Sequence, residues 1–212
     1  MRGASPLQTM APTQLSLDGL DPSTSRRYSL FFALRPDAPA ADRAHALATT
    51  LAAASGTSGR ADRKARFHVT LCHVGYFADE VPASVLKAAR EAAAQLSQAP
   101  APSGFTVSFD RVGSFSGKPG NLPVVLRGAQ ACAGLMAYQA RLDQTLLRAG
   151  LIHGERHAQF TPHLTLFYGR QPVAEQSIEP IAWRADHVVL YRSVIGESRY
   201  EEEGVWPLST SA

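Results

Sequence analysis

A chain of 212 residues, 45% apolar and 18% charged, has the material for one substantial core or for two small lobes that share one. Its formal charge of +3, with no block of five or six like charges, permits an anionic partner and argues against a basic tail gripping nucleic acid. No stretch approaches the roughly 18 apolar residues of a membrane span. No signal peptide is read, and the two cysteines, Cys72 and Cys132, are expected as free thiols of a reduced, cytoplasmic protein.

Residues 1–25 mix Ser, Thr, Pro, Gly, Gln and isolated Leu without period, which predicts a disordered or loosely attached extension. Residues 26–209 are expected to form a single domain. It opens on Arg27-Tyr28-Ser29-Leu30-Phe31-Phe32-Ala33-Leu34, a strand closed by Arg35-Pro36. An Ala/Leu-rich helix over 40–54 follows, with Asp37 or Asp42 near its start, and Gly56-Thr57-Ser58-Gly59 is a loop. A strand runs from about 66 to 76, then a helix from 81 to 96, ended by Gln98-Ala99-Pro100. Residues 105–109 alternate as a half-exposed strand, 117–121 turn, and 123–127 form another short strand. The third helix covers 131–149 and stops at Gly150, the usual place for a C-terminal glycine. Strands at 159–168, 188–191 and 200–208 close the fold.

The order strand, helix, strand, helix, strand nearly repeats after about 95 residues, too long a period for a solenoid. The expectation is an α+β fold of two similar lobes with pseudo-two-fold symmetry. Mixed or antiparallel sheets would carry helices outside and a central groove between them.

The repeat is sharpest in two pentapeptides, Phe67-His68-Val69-Thr70-Leu71 and Pro162-His163-Leu164-Thr165-Leu166. Strand side chains alternate faces, so His68 and Thr70 share one face, as do His163 and Thr165. Hydrolysis of a phosphodiester needs two proton transfers, one from the attacking water and one to the departing alkoxide. Histidine titrates near neutrality, so one neutral and one protonated imidazole across a phosphate would meet both needs without a metal. Each Thr hydroxyl could donate to a non-bridging oxygen. One His in a strand is usually a packed residue; two copies with Thr at the same offset are hard to ascribe to packing.

The pair of His-x-Thr-Leu motifs resembles the two-histidine (2H) phosphoesterase superfamily, whose signature is a duplicated His-x-[Thr/Ser]-x. Within it the chain looks most like the bacterial 2′-5′ RNA ligase-like, RNA 2′,3′-cyclic phosphodiesterase group. The opening strand Leu30–Pro36, the segment Phe160–Leu166 and the ending Tyr200–Leu208 carry the likeness further. The resemblance implies a bilobal fold with both histidines in one groove, no metal or other cofactor, and opening of a 2′,3′-cyclic phosphate to a 2′-phosphate. It implies a monomer acting on RNA with a cyclic-phosphate end, or on a small cyclic nucleotide. By position, His68 and His163 are the catalytic pair, His163 as base and His68 as acid, and Thr70 and Thr165 bind phosphate. Members of the group often carry an Arg five residues after the second His. Tyr168 stands there instead, and Tyr168 with Arg170 is expected to do that residue's work.

Other residues carry weaker signals. His73, His153 and His157 fit no usual zinc spacing, and His73 reads as core or groove-wall packing. A regular strand would put Cys72 on the His68 face, lining the groove, but the residue reads as a small buried hydrophobe rather than a nucleophile. Lys118 reads as a solvated loop residue, Arg35 as a surface residue, and Tyr168 and Phe115 as rings that could stack on a base, though such rings are more often simply packed. Two further functions fit the same residues: reversible 2′-5′ ligation, with a 5′-hydroxyl in place of water, and a binding module without turnover.

Overall fold

The computed structural model describes residues 26–54, 64–98, 104–128, 132–152, 160–197 and 199–208. The expected extension at 1–25 and the candidates His153 and His157 lie outside them.

Eight strands and three helices are present among the described residues: β1 (Arg27–Leu34), α1 (Ala38–Ala54), β2 (Val69–Ala78), α2 (Ala83–Gln98), β3 (Phe105–Ser114), β4 (Leu122–Arg127), α3 (Ala133–Arg148), β5 (His163–Gly169), β6 (Gln176–Ala185), β7 (His187–Val194) and β8 (Tyr200–Pro207). They build two four-stranded sheets, ordered β2-β1-β7-β8 and β5-β4-β3-β6. Every pairing is antiparallel, so the sheets are not mixed. The pseudo-symmetric unit is strand, helix, motif strand: β1-α1-β2 in one lobe and β4-α3-β5 in the other. Each motif strand is the edge of its own sheet. The two are therefore not paired side by side, but meet across the seam between the lobes.

Local chemistry explains most of these elements. Leu30 to Leu34 are all buried, because β1 is a central strand covered on both faces. Leu30, Phe32 and Leu34 enter the main core, while Phe31 and Ala33 join a small second cluster with Val189 and Tyr191. Asp37 Oδ1 accepts the Ala40 N–H at 2.8 Å and so caps α1. That helix buries a stripe of Ala40, Ala44, Ala48 and Ala52, small residues that let its backbone approach a sheet closely. In α3 the buried positions Leu135, Tyr138, Leu142 and Leu146 recur at helical spacing. Gly150 ends it at φ 68°, where its N–H donates to the Leu147 carbonyl and that of Leu151 to Leu146.

The helices bind the lobes together. The first helix, between two strands of one sheet, lies against β5 and β6 of the other, while α3 lies against β2 as well as β3. One core cluster consequently runs through both sheets.

Candidate active site

Each motif strand carries a bulge at the same place. In β2 the register with β1 passes from Thr70 to Cys72 and skips Leu71; in β5 the register with β4 passes from Thr165 to Phe167 and skips Leu166. The extra residue turns the alternation over. Leu71 and Cys72 are both buried, and so are Leu166 and Phe167. Cys72, which strict alternation would put on the groove face, is thus 1% exposed in the core, as expected of a small buried hydrophobe, and His73 lines the groove wall. By the same shift Tyr168 faces the groove from β5, which makes His73 and Tyr168 symmetry equivalents.

A cavity of about 460 Å³ lies between the two edge strands, and His68, Thr70, His163, Thr165 and Tyr168 all line it. The structure therefore brings five of the six expected residues together. Arg170 is exposed in the turn after β5 and is not among the lining residues. The arginine that does line the groove is Arg66, from the 3₁₀ turn Lys64–Arg66, a segment the sequence reading assigned partly to the strand. Its guanidinium lies over the Tyr200 ring, 5.0 Å from the centroid, and donates to the Tyr200 hydroxyl at 3.2 Å.

The two imidazoles are held alike. His68 Nδ1 bonds the Arg66 carbonyl at 2.6 Å, and His163 Nδ1 bonds the Thr161 carbonyl at 2.8 Å, in each case two residues back. A carbonyl only accepts, so each Nδ1 carries a proton. Nε2 is left to accept in the neutral ring or donate in the charged one, which is what an acid–base pair requires. Their surroundings differ. His68 packs against Phe31 and Tyr200 at centroid distances of 5.2 and 5.3 Å, with Tyr191 behind. Burial there lowers its pKa below the ordinary value, against the backbone bond, and the positive charges of Arg66 and His163 lower it further. Among the described residues His163 meets one ring, Phe115, edge-on at 5.0 Å, and the Arg127 guanidinium lies over that ring, 5.7 Å from its centroid.

Three groove residues had little signal in the sequence. Arg66 and Tyr200 are far apart along the chain, and only folding joins them. Tyr76, 66% exposed on β2, stacks on His73 with centroids 4.3 Å apart. His73 Nε2 and Ser29 Oγ are 3.0 Å apart. Among the described residues no group of three or more His, Cys, Asp or Glu is placed to hold a metal ion.

This geometry belongs to a known kind of protein. The chain is similar in fold to LigT of E. coli solved with 3′-AMP, at 23% identity and a TM-score of 0.69, covering 87% of this chain and 99% of that one. With LigT solved with ATP the figures are 22% and 0.66, over 87% and 99%. With TT0787 of Thermus thermophilus they are 18% and 0.68, over 87% and 100%. No curated protein matches the sequence. The family model described as the 2′-5′ RNA ligase superfamily matches residues 68–196, from the first motif histidine to the turn beyond β7. The repeated His-x-Thr strands, the two antiparallel sheets and the family match agree, and the chain belongs to the 2′-5′ RNA ligase superfamily, whose chemistry is that of 2H phosphoesterases and ligases.

Proposed function

We propose that the protein hydrolyses 2′,3′-cyclic phosphates, at RNA ends or on nucleotides, to 2′-phosphates without a metal. The observation that carries this reading is the matched anchoring of His68 and His163, both by Nδ1 to a carbonyl, on the walls of one groove. With the phosphate between them, His163 Nε2 takes a proton from water as its oxygen attacks phosphorus. His68 Nε2 gives a proton to the departing 3′-oxygen. Thr70 and Thr165 donate to the non-bridging oxygens, and Arg66 supplies charge beside them. Burial, with the positive charges of Arg66 and His163, lowers the His68 pKa, and the substrate's negative charge acts the other way, toward the protonated ring that the acid role uses. Tyr168 covers the sugar or base, or donates its hydroxyl to phosphate. Residues 26–209 act in this reading as one bilobal domain and as a monomer.

The family's name supports a second reaction, the joining of RNA ends by a 2′-5′ bond, in which a 5′-hydroxyl replaces water. Incubation of the protein with a 2′,3′-cyclic nucleotide, with and without an RNA bearing a 5′-hydroxyl, separates the two. A 2′-phosphate formed in water alone supports hydrolysis; a product seen only with the acceptor supports ligation; neither product leaves a binding module.

A further inference from the structure

Each motif histidine meets an aromatic ring edge-on, and each of those rings lies under an arginine. In one lobe the set is His163, Phe115 and Arg127; in the other it is His68, Tyr200 and Arg66. The two sets differ in one chemical group, the Tyr200 hydroxyl. Phe115 does the packing without one, so packing alone does not account for it. The hydroxyl oxygen accepts from the Arg66 guanidinium at 3.2 Å, and a guanidinium can only donate. The hydroxyl proton is therefore directed elsewhere, and among the described residues no acceptor takes it. The other tyrosine beside His68 is spoken for. Tyr191 is 4% exposed, its hydroxyl is bonded to Arg35, and Arg35 pairs with Glu202, none of the three lining the groove. Tyr200 lines it together with His68 and Thr70.

We propose that Tyr200 is a further catalytic residue: its hydroxyl, polarised by Arg66, donates to a non-bridging phosphate oxygen on the His68 side of the groove. The inference rests on the phosphodiesterase reading and deepens it. Arg66 is the hub of this corner, since its carbonyl holds His68 Nδ1 while its side chain holds Tyr200. One residue thereby ties the acid and the hydroxyl together, although Tyr200 comes from β8, the far edge of the sheet that β2 begins. A hydroxyl that accepts from a cation is a stronger donor onward, because the two bonds polarise each other. The cyclic diester carries one negative charge. As His163 takes the water's proton, attack builds a second onto the phosphoryl oxygens, so a donor set here does more for the transition state than for the bound substrate.

The test is Tyr200→Phe, which keeps the ring and removes only the hydroxyl, giving this lobe the ring that Phe115 supplies in the other. For a 2′,3′-cyclic nucleotide, kcat should fall about 10 to 10²-fold with KM within about threefold of the wild type, the pattern of a bond made chiefly in the transition state. Unchanged kcat overturns the proposal. A hydroxyl that merely holds Arg66 would also lower kcat, so Arg66→Met and the double variant are measured beside it, with Arg66→Ala in reserve should the melt of Arg66→Met show no folded state. A direct donor still acts without Arg66, and the double variant should fall about threefold or more below the Arg66 variant. Equal rates overturn the proposal and leave Tyr200 a positioning residue. A second measurement needs no turnover. Tyr200→Phe should bind a nucleoside 2′-phosphate about tenfold more weakly than the wild type, and the unphosphorylated nucleoside equally. If the wild type hydrolyses no cyclic phosphate at all, the phosphodiesterase reading fails. This affinity then decides, and an equal Kd for the 2′-phosphate overturns the proposal.

Discussion

His68 occupies the drier half of the site, and that has two measurable consequences. Its pKa is depressed, first by burial among Phe31, Tyr191 and Tyr200 and then by Arg66 and His163. In an NMR titration of the free protein its ring should therefore titrate below about 6.5, and it should move up when a nucleoside 2′-phosphate is added. Titration at or above 6.5 in the free protein would contradict the account. The same shift links to stability. As pH falls through about 6.5 the unfolded chain takes up a proton at this position before the folded chain does, so stability present above that pH is lost on acidification. Between pH 7.5 and 5.5 the wild type should lose more Tm than His68→Gln; an equal loss would mean that His68 is not the group responsible.

Tyr168 is 51% exposed at the groove's edge, a neutral side chain where a cation could reach the same space. Charge-assisted bonds are roughly twice as strong as neutral ones, so Tyr168→Arg should lower KM for a cyclic-phosphate RNA, and Tyr168→Ala should raise it. Unchanged KM in both would reduce Tyr168 to a packed ring. The four His and Thr positions were legible in the sequence because the motif is duplicated. Arg66 and Tyr200 were not, because nothing local marks an arginine whose partner is 134 residues away.

At the scale of elements, the paired bulges shape the site. Strict alternation puts Cys72 beside His68, and it would then be open to reagent. The bulge at Leu71, whose carbonyl accepts from Gln139 Nε2 of α3 at 3.4 Å, sends Cys72 inward and His73 outward. In a native Cys132→Ser variant, a thiol reagent should therefore find Cys72 slow to react until denaturant is added. Immediate labelling would show a regular strand. A period-two pattern cannot announce such a bulge: strict alternation alone would put Cys72 in the groove, whereas its small apolar character and the packing role of His73 agree with where the two side chains lie. The sixth strand went unread for a different reason: Pro180 and Glu179 interrupt its apolar run. Its position at a sheet edge tolerates a missing donor, and only Ile181, Trp183 and Ala185 are buried. The cap on α1 was visible as one of two candidates. Asp37→Ala should cost about 1 kcal/mol in a denaturant melt, and Asp42→Ala well under that, since only Asp37 reaches a helix N–H.

At the scale of the molecule, the lobes are interlocked through their helices. The α1 helix joins two strands of one sheet and packs on the other, and α3 reaches back onto β2, so one core runs through both. The duplication predicted two lobes; the crossing of helices between them depends on contacts distant in sequence and has no local signature. Interlocking ties together the two edge strands whose facing walls carry His68 and His163. The central claim, that two side chains carry both protons, is tested most directly by hydrolysis of a 2′,3′-cyclic nucleotide in excess EDTA by the wild type, His68→Ala and His163→Ala. The account predicts full wild-type activity with chelator present and a fall of about 10² to 10⁴-fold in each variant. Activity abolished by EDTA and restored by a divalent metal, or near-wild-type turnover in either variant, would contradict it.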